Sequence, residues 1–285
     1  MVKILADSTC DLSPELLEKY QISIIPLFVR LGEEEYLDGI GITPERLYEW
    51  SDAHGETPKT AAPGVGIFLD YFEKLIGENE EAVLFTISKS MSVCFNNARL
   101  ASEEPGWKER VRVIDSMNLS TGIGLQIIEA ADMAKQGKNA QEIEQAMLSL
   151  RPLVRASFVV DTLTYLHRGG RCSGLAAMMG SILQLHPRIA VSEGAMRPEK
   201  KYRGRARKYV MDYVKDMGEN LVSAKKDRVF ITHSGCDQDI VSMVREYLES
   251  LSHFDEILVT KAGSVISSHC GPGTLGVLFI EGNAD

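Results

Sequence analysis

Ser268-His269-Cys270-Gly271-Pro272-Gly273 sets an imidazole against a Gly-Pro-Gly turn, near the C-terminal end of a 285-residue chain. Glycine reaches backbone conformations that other residues resist, and proline fixes φ, so such a segment aims His269. Near pH 7 a neutral imidazole accepts a proton or a hydrogen bond, and a charged one meets an anion. The bland reading of the same residues is a polar turn between two strands. Three clusters of short polar side chains could share a ligand with the histidine: Asp7-Ser8-Thr9, Ser88 to Ser92, and Asp115-Ser116. Hydroxyls of this kind satisfy an oxygen without a fixed charge, and they are equally what helix N-caps require. In a fourth stretch, Tyr165 to Ser173, Gly169-Gly170 lies between Arg168 and Arg171. It reads either as close approach to a partner, with Arg171 a rigid bidentate donor, or as a helix C-cap with basic residues at its negative end.

These side chains need a scaffold, and the first half supplies strand–helix alternation. Val2 to Leu5, Ile22 to Ile25, Ala82 to Phe85 and Val111 to Ile114 are the apolar runs expected of strands. Ser13-Pro14 and Thr43-Pro44 look like N-cap followed by proline, Asn139 with Glu142 looks like a capping box, and Val65 to Ile76 repeats at helical spacing. Such alternation predicts a parallel, twisted sheet covered on both faces, with the three polar clusters on one edge. The second half reads as α+β with a mixed sheet. Its expected strands are 157–161, 188–191, 229–232, 257–260, 265–267 and 276–280, with a hairpin turn at Glu193-Gly194 and helices over 174–184, 205–217 and 237–251. The boundary between two domains is placed near residue 156, giving 1–156 and 157–285.

Composition narrows the function. A hydrophobic fraction of 44%, a charged fraction of 25% and the lack of any apolar run near ~20 residues describe a soluble globular protein without integral membrane segments. Met1 to Ala6 meets Asp7 too soon for a signal peptide, and five cysteines without a Cys-x-x-Cys pair fit a reducing cytoplasm rather than a disulfide framework or metal site. A net charge of −9 argues against broad nucleic-acid binding. Within this acidic chain lies a basic island, Arg197 to Lys208, whose only acid is Glu199; it reads as a solvated helix start or loop, or as a surface for phosphate or an acidic partner. Gly64-Val65-Gly66 lacks the third glycine of a dinucleotide site, and no lysine-bearing P-loop follows a strand.

Taken in order, the segments resemble the DegV family of bacterial fatty-acid-binding proteins. The likeness rests on Ala6 to Leu12, Ile25-Pro26-Leu27, Thr60-Ala61-Ala62-Pro63, Ile87 to Ser92, Val113 to Ser116, Asp161 to Arg171, Lys201-Tyr202-Arg203 and His269 to Gly273. The resemblance implies two α/β domains with one long-chain fatty acid, such as palmitate, between them and no other cofactor. It implies that Thr60 and Ser92 hold the carboxylate with His269 beside it. In kinase-linked members a separate ATP-binding fatty acid kinase subunit phosphorylates that carboxylate for phospholipid synthesis, and Arg171 and Arg203 resemble the arginines near the transfer site. The chain departs from the family pattern where Ser-Gly-Thr-Tyr reads Ser92-Val93-Cys94-Phe95 and Thr-Ser-x-Pro reads Thr60-Ala61-Ala62-Pro63.

An acyl chain is physically compatible with such a site. Burying about 16 carbons releases roughly 12 kcal/mol gross, which ordering of the chain and carboxylate desolvation offset in large part. A tunnel with hydroxyl or imidazole donors at one end is therefore required. Ala176, Ala177, Met178, Met179, Ile182 and Leu183 are candidates for its wall, or for ordinary core. The expectation is a binding protein rather than an enzyme. Two other readings stand beside it: a serine hydrolase using Ser92 with His269 and Asp7 or Asp115, although Ser92 lacks a Gly-x-Ser-x-Gly elbow, and a regulatory module acting through 197–208.

Overall fold

The computed structural model describes residues 2–172 and 185–282. The helix expected over 174–184, with the six candidate wall residues on it, lies outside the described residues.

In chain order the first half runs β1 (Val2–Asp7), α1 (Pro14–Tyr20), β2 (Ile22–Ile25), β3 (Phe28–Leu31), β4 (Glu34–Leu37), α2 (Pro44–His54), β5 (Lys59–Ala61) and α3 (Val65–Leu75). It continues with β6 (Glu81–Thr86), α4 (Cys94–Ser102), β7 (Val111–Asp115), α5 (Thr121–Lys135) and α6 (Ala140–Leu150). The four strands expected from apolar runs form one all-parallel sheet in the order β2-β1-β6-β7. Ala82 to Phe85 are all fully buried, as a strand covered on both faces must be. The helix starts follow local chemistry: the Ser13 and Thr43 side chains accept from the backbones of Leu16 and Arg46 with proline at N1, and Asn139 and Glu142 complete a capping box. A second sheet, β4-β3-β5, carries Thr60. No alternation announced it, because its short strands are rich in charge, with Arg30, Glu34, Glu35 and Lys59.

The second half contains β8 (Val154–Val159), α7 (Thr164–Gly169), β9 (Leu185–Ser192), β10 (Ala195–Arg203), α8 (Ala206–Lys215) and α9 (Gly218–Val222). It ends with β11 (Ala224–Ser234), α10 (Gln238–Ser250), β12 (Glu256–Lys261), α11 (Ser264–Cys270) and β13 (Thr274–Glu281). These strands build a mixed six-stranded sheet, β10-β9-β8-β13-β11-β12, in which only β11 and β12 pair in parallel. Tyr209, Tyr213, Val244 and Leu248 from α8 and α10 fill its core. The Glu193-Gly194 turn joins β9 and β10 with φ of 52° and 77°, the paired positive values of a tight hairpin turn.

Two sequence expectations are corrected. The basic run from Arg197 is neither helix start nor loop up to Arg203: it is the edge strand β10, where outward charge is the usual protection of an open edge. Four of its cations are matched by acids distant in sequence or just outside the run, pairing Arg197 with Glu193, Lys200 with Asp216, Arg207 with Asp239 and Lys208 with Asp212. Val265 to Ser267, expected as a strand, lies in helix α11. Its β-branched residues suggested extension, but the N–H groups at its start are taken by carboxylates of the first half, which favours a helix. Through α11 the second half packs on α2, β3 and β5 of the first.

Candidate functional site

Thr60 sits in the middle of β5, opposite Val29 of β3, so its position is fixed by a ladder rather than a loop. Ser92 lies between β6 and α4, and this segment is tied from several sides. Asp7 accepts from the Ile87 N–H at 2.8 Å, and Asp115 accepts from the Lys89 N–H at 3.2 Å. The Ser88 N–H donates to the Asn118 carbonyl at 2.9 Å, and the Ser88 hydroxyl donates to the Gly194 carbonyl at 2.6 Å. The hairpin tip of the second half thus anchors a first-half loop. Asp7, Ser88 and Asp115 serve as loop scaffolding, while Ser92 remains at the end of the segment and accepts from the Cys94 N–H at 3.2 Å.

His269 occupies the last turn of α11, not a free turn, and its Nε2 lies 2.9 Å from Thr60 Oγ1. The Nδ1 atom is buried and has no hydrogen-bond partner among the described residues. Burial, reinforced by the neighbouring Arg171 cation, lowers the imidazole to about 4, so it is neutral at pH 7. The double glycine explains how the ring fits. A Cβ on Gly169 would meet His269 Nδ1 at 2.5 Å, while Gly170 is the left-handed C-cap of α7 at φ 67°. The C-cap reading of this motif therefore holds, with room for an imidazole as its second use. Arg171 follows at once, donating to the Gly169 carbonyl at 2.6 Å.

Thr60, Ser92, Arg171 and His269 line one cavity of about 510 Å³. Its remaining wall is largely apolar, with Leu27, Ile87, Met91, Met196, Val265 and Ile266. A more open recess of about 650 Å³, whose charged lining is Lys59, Arg168, Arg171 and a single acid, Glu56, meets the cavity at Thr60, Arg171 and His269. These three residues form a polar wall between an apolar interior and a basic exterior. Arg203 is not among the lining residues; it lies on the edge strand opposite Leu185.

At the departures from the family pattern, the backbone is ordinary. Val93 has φ −76°, so no glycine is required there, and its side chain is 59% exposed at the cavity mouth. Cys94 is buried, with its thiol donating to Asp7 at 3.3 Å. Burial and the Asp7 carboxylate both hold that thiol well above its usual range. Ala61 lines the cavity opposite Phe28. The hydrolase geometry is not formed among the described residues: His269 Nε2 faces Thr60 rather than Ser92, and no carboxylate there orients Nδ1. Among the described residues there is no group of His, Cys, Asp and Glu suited to a metal, and no helix is long and apolar enough to cross a membrane.

Two contributors escaped the sequence reading, Gly169 as a space-maker and Asp38. Asp38 precedes Gly39 and reads as turn chemistry, yet it is buried and accepts from Ser264 and Val265, more than 200 positions away. No local pattern signals such a partner.

A family model described as "Uncharacterised protein, DegV family" matches residues 1–282. A DegV domain-containing protein of Clostridium perfringens is 30% identical over 280 residues, covering 98% of each chain. Among solved structures, one described as showing fatty acid binding of a DegV family protein from Thermus thermophilus aligns with a TM-score of 0.89 at 29% identity, over 98% of this chain and 99% of that one. A stearic acid-binding protein from Eubacterium ventriosum aligns with a TM-score of 0.84 at 29% identity, over 99% and 98%.

Proposed function

The chain belongs to the DegV family, and we propose that it binds one long-chain fatty acid between an N-terminal domain, 1–156, and a C-terminal domain, 157–285. The observation that carries this reading is the Thr60–His269 pair at the polar end of an apolar cavity. A neutral His269 donates from Nε2 to Thr60 Oγ1, which leaves the Thr60 hydroxyl proton free to donate to a carboxylate oxygen. Ser92 supplies a second hydroxyl, and Arg171 a cation at the same wall. Fatty acid binding by the Thermus and Eubacterium proteins of the same fold supports the ligand class.

The basic recess outside the wall suits a further step, presentation of the carboxylate to a separate ATP-binding fatty acid kinase subunit. There the carboxylate oxygen would bond to the γ-phosphorus of ATP while ADP leaves, with Arg171 meeting the developing charge and Arg203, on the edge strand, contacting the partner. In this reading the chain is a carrier and the partner holds the nucleotide.

Denaturing the purified protein and extracting it into organic solvent should release a long-chain fatty acid near one per chain. No lipid, even after incubation with palmitate or oleate, overturns the reading. Thr60→Ala and Ser92→Ala should each weaken palmitate binding by about tenfold, the worth of one hydrogen bond to a charged group; unchanged binding places the head group elsewhere.

A further inference from the structure

The helix that carries His269 is held at its opposite end by two buried carboxylates of the first half. Asp38 Oδ1 accepts from the N–H groups of Ser264 at 2.8 Å and Val265 at 3.3 Å, while its Oδ2 accepts from the Ser8 hydroxyl at 2.8 Å. Asp11 Oδ1 accepts from the Gly263 N–H at 2.8 Å, and its Oδ2 accepts from the Ser120 hydroxyl at 2.5 Å. Three consecutive N–H groups at the start of α11 are thereby satisfied from across the molecule. Ser8 is itself placed by the Leu27 N–H, which donates to its hydroxyl at 3.1 Å, and Leu27 lines the lipid cavity.

At seven residues α11 is about 10 Å long, a rigid strut with the carboxylates at one end and the imidazole at the other. Burial disfavours the ionised forms of two acids placed so close together, and Asp7, a third acid, adds to that on both. For a core contact alone, apolar side chains would serve better. Their geometry is specific in a way an apolar contact is not, because it fixes the rotation and axial position of the strut. Slippage by a fraction of an ångström would spoil the 2.9 Å contact between His269 and Thr60.

We infer that Asp38, with Asp11, is a positioning residue for carboxylate recognition: it acts through α11 to hold His269 against Thr60. The inference rests on the fatty-acid reading above. It differs from a general stabilising role in one measurable respect. A residue acting through His269 affects the head group more than the acyl chain.

The test compares palmitic acid with hexadecanol, which has the same chain and no carboxylate, on the delipidated full chain. Wild type should bind the acid more tightly than the alcohol; if it binds neither, the fatty-acid reading itself fails. Asp38→Ala should lose about tenfold in affinity for palmitic acid and clearly less for hexadecanol, which meets only the apolar wall that Val265 and Ile266 of α11 share. Asp38→Asn, which keeps an acceptor for Ser264 and Val265, should restore most of the loss. Adding Asp38→Ala to His269→Ala should cost nothing further, because both act on one contact. Should Asp38→Ala not fold, Asp11→Ala, which frees Gly263, carries the same expectation. Equal loss for acid and alcohol, additive loss with His269→Ala, or no loss in a folded variant overturns the proposal while leaving lipid binding intact.

Discussion

The imidazole of His269 is desolvated beside a guanidinium, and both effects disfavour its charged form. Because its value falls from the usual 6.5 to about 4, the unfolded chain binds the extra proton first as pH drops. Its contribution is thus fully present above about 6.5 and is lost between there and about 4, amounting to at most about 3 kcal/mol. Thermal unfolding of the lipid-free protein should therefore shift to lower temperature across that window, and His269→Gln should show a smaller shift. Asp11 pulls the other way. Burial raises it from 3.8 to about 8, so the folded state holds the proton and stability declines as pH rises through that range. Asp11→Asn keeps an acceptor for Gly263 and should flatten the decline between about pH 4 and 8; an unchanged slope across that window would mean that another group is responsible.

At the scale of elements, the site is a meeting of pieces that end near one another. Strand β5 brings Thr60, the loop after β6 brings Ser92, α7 ends in the glycines that admit the imidazole, and α11 delivers it. Gly169 gives the clearest test of that packing. It is the last residue of α7 and is not among the positive-φ glycines, so alanine should favour the helix by up to ~1 kcal/mol on backbone grounds. Its Cβ would instead press on His269 Nδ1 at 2.5 Å. Gly169→Ala should therefore reduce palmitate affinity by about tenfold without a matching fall in melting temperature, since the displaced contact is one hydrogen bond. Retained affinity would show that the ring can move without loss.

At the scale of the whole molecule, the cavity lies where the two halves meet, and their contact is polar as well as apolar. Asp38 and Asp11 reach α11, Ser88 reaches the hairpin at Gly194, and Thr121 meets Thr232 at 2.6 Å. A ligand that contacts both halves binds only their assembled form, so it stabilises the fold by mass action. Palmitate at 100 times its dissociation constant should add about 2.7 kcal/mol to the unfolding free energy, read as a rise in melting temperature over the delipidated protein. Delipidated protein that melts at the same temperature with and without palmitate would place the ligand outside the folded interface.

Much of this was legible in the chain. The four parallel strands followed from short, mostly apolar runs, the capped helices from Ser13, Thr43 and Asn139, and the hairpin from Glu193-Gly194, because each depends on neighbours within a few residues. The residues Thr60, Ser92, Arg171 and His269 could be singled out by resemblance, and they line one cavity. What the sequence could not reveal is how they are held. The segment 265–267 looked extended until distant carboxylates capped it, β10 looked like a solvated loop until β9 paired with it, and the use of Gly169 depends on a ring one hundred positions away. Local propensity and pattern act through adjacent residues, so the sequence alone determined the elements that rest on local signals and the chemistry on offer. Only the tertiary structure decided which hydroxyl faces His269 and which carboxylates keep it there, because those contacts join positions that share no local signal.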